Sequence, residues 1–363
     1  MTESTIALKD NAKSNKQNNK WHRVLFLPQG NINHPSSRYR LYQYLPLLKD
    51  HKIKYKILCQ AESRDISRIT QRLRIIYYLL WAQVVFIQKQ LQSQKMMLMI
   101  DLMKKVVIYD IDDAIWLVNP SKKDELLNYD EVQDSNKKMY LDNIKHFDKV
   151  IAGNHYLADC VARHNKKVDV IPTVLRTSNE INKKRRTDKI IIGWTGTSNN
   201  LYCLKRLKRV FTMIHDKYKG GVLLKVICDL PLEFDSSIQV VNAKWNLDTE
   251  HDELSECDIG IMPLMDDEWN RCKCAGKMLI YMAQGIPAVV SPVGVNKDIV
   301  DNGKNGFLAG CEQEWFEHLC NLIENERLRY RIGCAGRQTI AENFTPERYI
   351  TKLVEILRNT RIM

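Results

Sequence analysis

No window of the chain supplies the roughly 18 uninterrupted apolar residues that a membrane-crossing helix needs. The nearest approach, "MMLMIDLM" (Met96–Met103), is short and broken by Asp101. The ten cysteines include no C-x-x-C pair, and the closest two, Cys272 and Cys274, stand one residue apart. That spacing excludes the common zinc and dithiol motifs, and no metal site follows from it. The thiols are expected to stay free in a reducing cytosol, as small core hydrophobes. An RNA-recognition aromatic signature, a zinc finger and a basic zipper are all missing, so nucleic acid is not an expected partner. Met1–Lys20 is rich in Asn and Lys and has no apolar core. It is expected to be a disordered tail rather than a leader peptide.

What is present fits a globular protein. The 363 residues suggest two domains, and 44% hydrophobic with 27% charged residues is ordinary for a folded chain. The net charge of +12 favours anionic partners, either phosphorylated small molecules or an anionic membrane face. A peripheral position at the inner face of the membrane therefore stays open.

Short apolar runs alternate with amphipathic stretches, which is the rhythm of a parallel, doubly wound sheet. "RVLFL", "KYKILC", "VVFIQ", "KVVIYD", "KVIA" and "VDVIP" read as six strands of a first domain over 21–176. Between the first two, Leu41, Tyr44, Leu45 and Leu48 share one helical face. Asp65 is a candidate cap for a helix running to Ala82. Residues 177–188, which include "NKKRR", form a polar linker. The rhythm restarts over 189–345 with "KIIIGW", "VLLKVICD", "SIQVVNA", "DIGIMPL" and "PAVVS". A helix over 346–363 follows, with a return to the first domain left open. Two such sheets face each other across a cleft. Ligands of such sheets bind beyond the carboxyl ends of the strands.

One stretch concentrates the chemistry: "CDIGIMPLMDDEWNRCKCAGKMLIYMAQGIPAVVSPVG". A strand leads into an acid cluster with Arg271, Lys273 and Lys277 beyond it. The spacing predicts a helix over Lys273–Gln284, with both lysines on one face near its start. Free N–H groups there, joined by cations, make a site for a phosphate or diphosphate. Gly294 suits a close approach of backbone to ligand. Asp298 can accept a ligand hydroxyl or cap a helix.

In the first half, "YDIDDAIW" puts acids just past a buried strand, where carboxylates bind hydroxyls or move protons. Asp110 is expected to face a ligand in the cleft, and Asp113 to act as a structural or ligand-side partner. An alternative reading has Asp112 and Asp113 capping the next segment and pairing with a nearby Lys. In "PQGNINHPSSRYR", Gly30 suits a tight loop and Ser37 a helix cap. Arg38 and Arg40 can meet an anionic ligand. His155 is a further candidate for the cleft.

The motifs "IIIGWTGTSNNLYCL", the long stretch above and "NGKNGFLAG" resemble the nucleotide-binding half of group 1 (family 4-like) glycosyltransferases of GT-B fold. "PSSRYRLYQYLPLL", "VVIYDIDDAIW" and "VIAGNHYLADCVARHNKKVDVIPT" resemble the other half more weakly. The resemblance implies an α/β protein of two Rossmann-like domains. It also implies sugar transfer from a UDP- or GDP-sugar to a glycan or lipid-linked acceptor, with retention, without metal or cofactor, in cell-envelope polysaccharide assembly. On the donor side it points to Gly193, Trp194, Gly196, Thr197 and Asp267, together with Arg271, Lys273 and Lys277; in the other half it implies a sugar- or acceptor-facing role for Asp110, an acceptor partner in Asp113, and acceptor-side positions for Gly30, Ser37, Arg38 and Arg40. The family's pair of glutamates falls on Cys272 and Ile280, which carry no charge. That departure keeps two alternatives open: a sugar-nucleotide epimerase or hydrolase, and a non-catalytic transferase relative that only binds.

Overall fold

The computed structural model describes residues 21–59, 68–123, 125–177, 188–233, 235 and 237–359. The expected tail, Asp65 and nearly all of the expected linker lie outside these. The first sheet contains β1 (His22–Leu27), β2 (Ile53–Ile57), β3 (Val84–Gln88), β4 (Val106–Ile111), β5 (Lys149–Ala152) and β6 (Val168–Val170). Its order is β2-β1-β3-β4-β5-β6, and every pair is parallel. The second sheet has β7 (Ile190–Gly196), β8 (Val222–Cys228), β9 (Gln239–Lys244), β10 (Ile259–Met262), β11 (Ala288–Val290) and β12 (Phe307–Leu308). Its order is β12-β11-β10-β7-β8-β9, again all parallel. The strand order reverses between β1 and β3 and between β7 and β10. Such reversal points leave a crevice at the carboxyl ends of the strands.

The central strands are apolar throughout because helices cover both faces. All six residues of β4 and all five of β3 are buried. In the first lobe Val24, Phe26, Phe86 and Ile108 pack on one face, while Leu25, Val85, Val107 and Tyr109 pack on the other. In the second lobe Ile192 and Trp194 join one cluster, and Met278, Tyr281 and Met282 join another. The Leu41, Tyr44, Leu45 and Leu48 face is buried as the spacing predicts. The backbone there is not one helix, however. A short turn (Pro35–Ser37) passes through a π-turn (Arg38–Tyr42) into Leu45–Leu48.

The Pro346–Asn359 helix packs on the first lobe. Ile350, Leu353, Val354 and Leu357 share a cluster with Val24 and Phe26. Lys352 Nζ donates to the Val170 carbonyl at 3.1 Å, and Arg358 Nη2 to that of His51 at 2.5 Å. The two chain crossings between lobes are joined where Leu175 N–H donates to the Phe344 carbonyl at 2.7 Å. Among the described residues no helix is long and apolar enough to cross a membrane.

Candidate active site

A cavity of about 590 Å³ lies between the lobes, walled by loops that follow β1, β3, β4, β7, β8 and β10. Its floor is set by contacts across the gap. Asn154, just past β5, caps the His155–Ala162 helix by accepting from Leu157 N–H at 2.8 Å. Its Nδ2 donates to the carbonyls of Cys272 and Lys273, both at 3.0 Å. Cys274 Sγ donates to the Asp112 carbonyl at 3.3 Å. A Cβ on Gly153 would come within 2.3 Å of that sulfur, so the loop is moulded to the first lobe.

This loop changes the expected geometry of the lysines. The helix starts at Gly276 rather than Lys273, because Ala275 adopts a left-handed conformation at its N-cap (φ 55°). Lys273 belongs to the docked loop and Lys277 to the first helical turn, yet both line the cavity. Lys273 Nζ lies 4.0 Å from Asp113 and 5.3 Å from the Trp269 ring centroid. Lys277 Nζ lies over the Trp194 ring at 5.3 Å. Among the described residues no carboxylate lies within ion-pair reach of Lys277. Burial, then the neighbouring Lys273, pulls its pKa from 10.5 down to about 8. Gly196 makes room for this side chain, since a Cβ there would meet Lys277 Cε at 2.5 Å. Thr197 lines the same wall.

The first-lobe cations are arranged differently, because each already has an acid. Arg40 forms a two-pronged pair with Asp110, Nε to Oδ2 at 2.8 Å and Nη2 to Oδ1 at 2.6 Å. Its Nη1 donates to the Ile171 carbonyl at 3.0 Å. Burial alone would disfavour the Arg40 charge, but the Asp110 carboxylate more than compensates and raises its pKa. Lys89, at the end of β3, holds Asp112 at 3.1 Å and also pairs with Asp113. Burial works against its charge too, and the two carboxylates override it and raise its pKa.

Arg38 reaches across the cleft. Its Nη2 donates to Glu250 Oε2 at 2.9 Å, and its guanidinium lies 4.6 Å from the Tyr39 ring and 5.3 Å from the Trp245 ring. Trp245 Nε1 donates to the same carboxylate at 2.8 Å. Among the described residues, Arg38 Nε and Nη1 are buried without hydrogen-bond partners. Asn119 Nδ2 adds a second tie, to the Asn199 carbonyl at 2.9 Å.

Several expected site residues therefore have other work. Asp110 is 2% exposed and does not line the cavity, since Arg40 takes both of its oxygens. Ser37 is buried, donating to Gln88 Oε1 at 2.7 Å and accepting from Gly30 N–H at 3.0 Å, and neither residue lines the cavity. His155 is exposed outside the cavity. Gly193 packs against Cys257, where a Cβ would meet Sγ at 2.4 Å, and Trp194 is a core residue. Asp267 caps the Glu268–Arg271 turn by accepting from Asn270 N–H at 2.8 Å. Arg271 is half exposed and pairs with Asp266 at 2.6 Å. Gly294 has φ 53°, and a Cβ there would meet the Arg271 carbonyl at 2.4 Å, so it turns the backbone rather than admitting a ligand. Asp298 is exposed outside the cavity. Arg38, Arg40, Asp113, Gly196, Thr197, Lys273 and Lys277 do line it. Sequence reading missed Lys89, Asn154, Trp245 and Glu250. An Asn opening a helix was the only local signal among these.

Residues 235–325 match the family model described as glycosyl transferases group 1. Among curated proteins no sequence matches the chain. Solved structures match it widely. HepE of Anabaena, in complex with UDP and glucose, is 14% identical with a TM-score of 0.60, over 93% of this chain and 99% of its own. A glycosyltransferase of Rickettsia africae is 12% identical with a TM-score of 0.61, over 94% and 99%. WaaG, a glycosyltransferase involved in lipopolysaccharide biosynthesis, is 10% identical with a TM-score of 0.60, over 92% and 99%. At these identities the likeness is one of fold. The chain has the two-lobed GT-B fold, and its second lobe carries, over residues 235–325, the group 1 glycosyltransferase family match.

Proposed function

We propose that the protein transfers a sugar from a UDP- or GDP-sugar to a glycan or lipid-linked acceptor, with retention and without a metal. One observation carries the reading: Lys273 and Lys277 line the interlobe cavity, and Lys277 has no carboxylate partner among the described residues. A half-buried cation without a counter-ion is costly unless a ligand supplies one. A diphosphate meets both lysines at once. As the bond from sugar to phosphate breaks, negative charge grows on the leaving diphosphate, and fixed cations stabilise that state more than the ground state. The lobes are already in contact around the cavity, which limits water and favours transfer over hydrolysis. Asp112 and Asp113 are both held by Lys89. A route without an enzymic nucleophile fits this, with the leaving phosphate drawing the proton from the acceptor hydroxyl.

The substitution of Cys272 and Ile280 for the family's glutamates favours a second reading, a protein that binds donor without turning it over. Cys272 is buried among first-lobe residues and Ile280 lines the cavity, so neither offers a carboxylate to a ribose or a sugar. Incubation with a panel of nucleotide sugars, with and without glycan and lipid extracts, separates the cases. Nucleoside diphosphate released only with an acceptor extract supports transfer. Equal release without extract supports a hydrolase, and tight binding with no release supports the binding protein.

A further inference from the structure

The Arg68–Trp81 helix has two apolar faces. Leu79 is fully buried against the first sheet, as one amphipathic face requires. The opposite side carries Leu73, Ile76, Tyr77 and Leu80, at 62%, 38%, 58% and 64% exposure. Their spacing of i, i+3, i+4 and i+7 places them in a single stripe along the helix. A lone exposed leucine needs no explanation, but an aligned set of four marks an interaction surface.

The surroundings of the stripe decide its partner. The neighbouring edge strand β2 reads Ile-Lys-Tyr-Lys-Ile, and the helix has no Asp or Glu. Lys56 Nζ sits 4.4 Å from the Tyr77 ring centroid and 5.2 Å from that of Trp81. Lys54 Nζ lies 5.1 Å from the half-exposed Trp21 ring. Among the described residues, Lys54, Lys56 and Arg72 have no carboxylate partner. Aliphatic side chains, amphipathic aromatic rings and cations without a carboxylate partner among the described residues together match the acyl–headgroup boundary of an anionic bilayer. Nucleic acid would use the rings and the cations but has no use for the exposed leucines.

We propose that this face of the first lobe, the 73–80 stripe flanked by Lys54 and Lys56, docks on anionic membrane surface. Leu73, Ile76 and Leu80 would enter the acyl boundary, Tyr77 would sit at headgroup level, and the lysines would meet lipid phosphates. The surface lies outside the cavity that would hold the donor, so the inference stands whether or not the chain transfers sugar.

Co-sedimentation of the full chain with vesicles tests it. Vesicles of phosphatidylcholine with phosphatidylglycerol should bind the protein, and pure phosphatidylcholine should bind it at least about tenfold more weakly. A Leu73→Gln, Leu80→Gln double variant should lose about tenfold or more in anionic-vesicle affinity. A Lys54→Gln, Lys56→Gln variant should lose a similar factor at low salt and less at high salt. All these side chains are exposed or rim positions, and a wild-type thermal melt with a wild-type circular dichroism spectrum confirms that the variants are folded. No binding to anionic vesicles, or wild-type binding by the leucine variant, overturns the proposal. So does a concentration-dependent dimer that the leucine substitutions dissolve, because the stripe would then belong to a second copy. Competition by single-stranded RNA with equal loss in both variants also overturns it.

Discussion

Replacing Lys277 with Met should make the protein more stable and a worse donor binder. The fall of the Lys277 pKa from 10.5 to about 8, caused first by burial and then by Lys273, states the cost of keeping it charged. At about 1.4 kcal/mol per unit this is on the order of 3 kcal/mol near neutral pH. Water in the cavity screens part of it, leaving about 1–2 kcal/mol. Met keeps the aliphatic stem but loses the cation's contact with the Trp194 ring at 5.3 Å, which returns about 0.5–1 kcal/mol. The net expectation is a gain of about 1 kcal/mol near pH 7. The sign over pH is fixed as well. Between pH 8 and 10.5 the folded protein has shed this proton while the unfolded chain still holds it. Wild-type stability therefore rises through that window, and the variant's advantage fades. Urea unfolding of both proteins at about pH 7 and about pH 10 reads this difference directly. UDP affinity of the variant should fall by about 10- to 100-fold, the loss of a charge-assisted contact. A variant less stable than wild type at neutral pH, or a stability difference that ignores pH, would refute the reasoning.

Wild-type affinity for UDP should be flat between about pH 7 and pH 8, where the terminal phosphate of UDP is already ionised, and fall by up to about tenfold per unit above that, as Lys277 loses its proton; calorimetric titration across that range checks this. Asn154→Ala removes a helix cap and the Asn154 hydrogen bonds that help anchor the Lys273 loop, so it should cost about 1–3 kcal/mol in stability and raise KM for donor. Normal KM in that variant would detach the loop from the site. Glu250→Gln should loosen the cross-lobe clasp to Arg38, seen as a larger radius of gyration by small-angle scattering. Asp110→Ala leaves Arg40 buried without its counter-charge and should cost about 3–5 kcal/mol on denaturant unfolding. A stable but inactive Asp110→Ala would restore the sugar-facing role that the sequence suggests.

The strands were readable because parallel strands buried on both faces spell continuous apolar runs, as "VVFIQ" and "IIIGW" do. The reading slips where that condition fails. β9 lies at a sheet edge and is largely exposed, and its start falls at Gln239 rather than Ser236. The Lys273–Gln284 helix was placed three residues too early because nothing local announces a left-handed Ala275. Lys277 was legible as a cation sharing a helix face with Lys273, near the start of the helix that follows a strand. Its worth depends on what does not pair with it, which a linear string does not show. Asp110 looked catalytic for the same reason, since its partner Arg40 stands 70 residues away. Arg38 and Glu250 are separated by 212.

Those distant pairings decide where the cleft is positive. Arg40 is matched by Asp110, Lys89 by Asp112 and Asp113, and Arg38 by Glu250. These three cations are thus offset by four carboxylates, one of them from the opposite lobe, and Lys122, also on the first-lobe wall, pairs with Glu125. Across the gap, among the described residues, Lys273 has only Asp113 at the 4.0 Å limit and Lys277 has no carboxylate partner. The attraction for an anion is therefore concentrated on the second-lobe side, within reach of Gly196, Thr197 and the start of the Gly276–Ala283 helix. An anion placed against Arg40 would have to displace a buried carboxylate held by two short hydrogen bonds. One placed at Lys277 displaces no carboxylate and relieves a cost that burial already imposes. The chain's +12 charge is thus a poor guide to the site. On the proposed reading the diphosphate takes the part of the cleft where Lys277 has no carboxylate partner among the described residues.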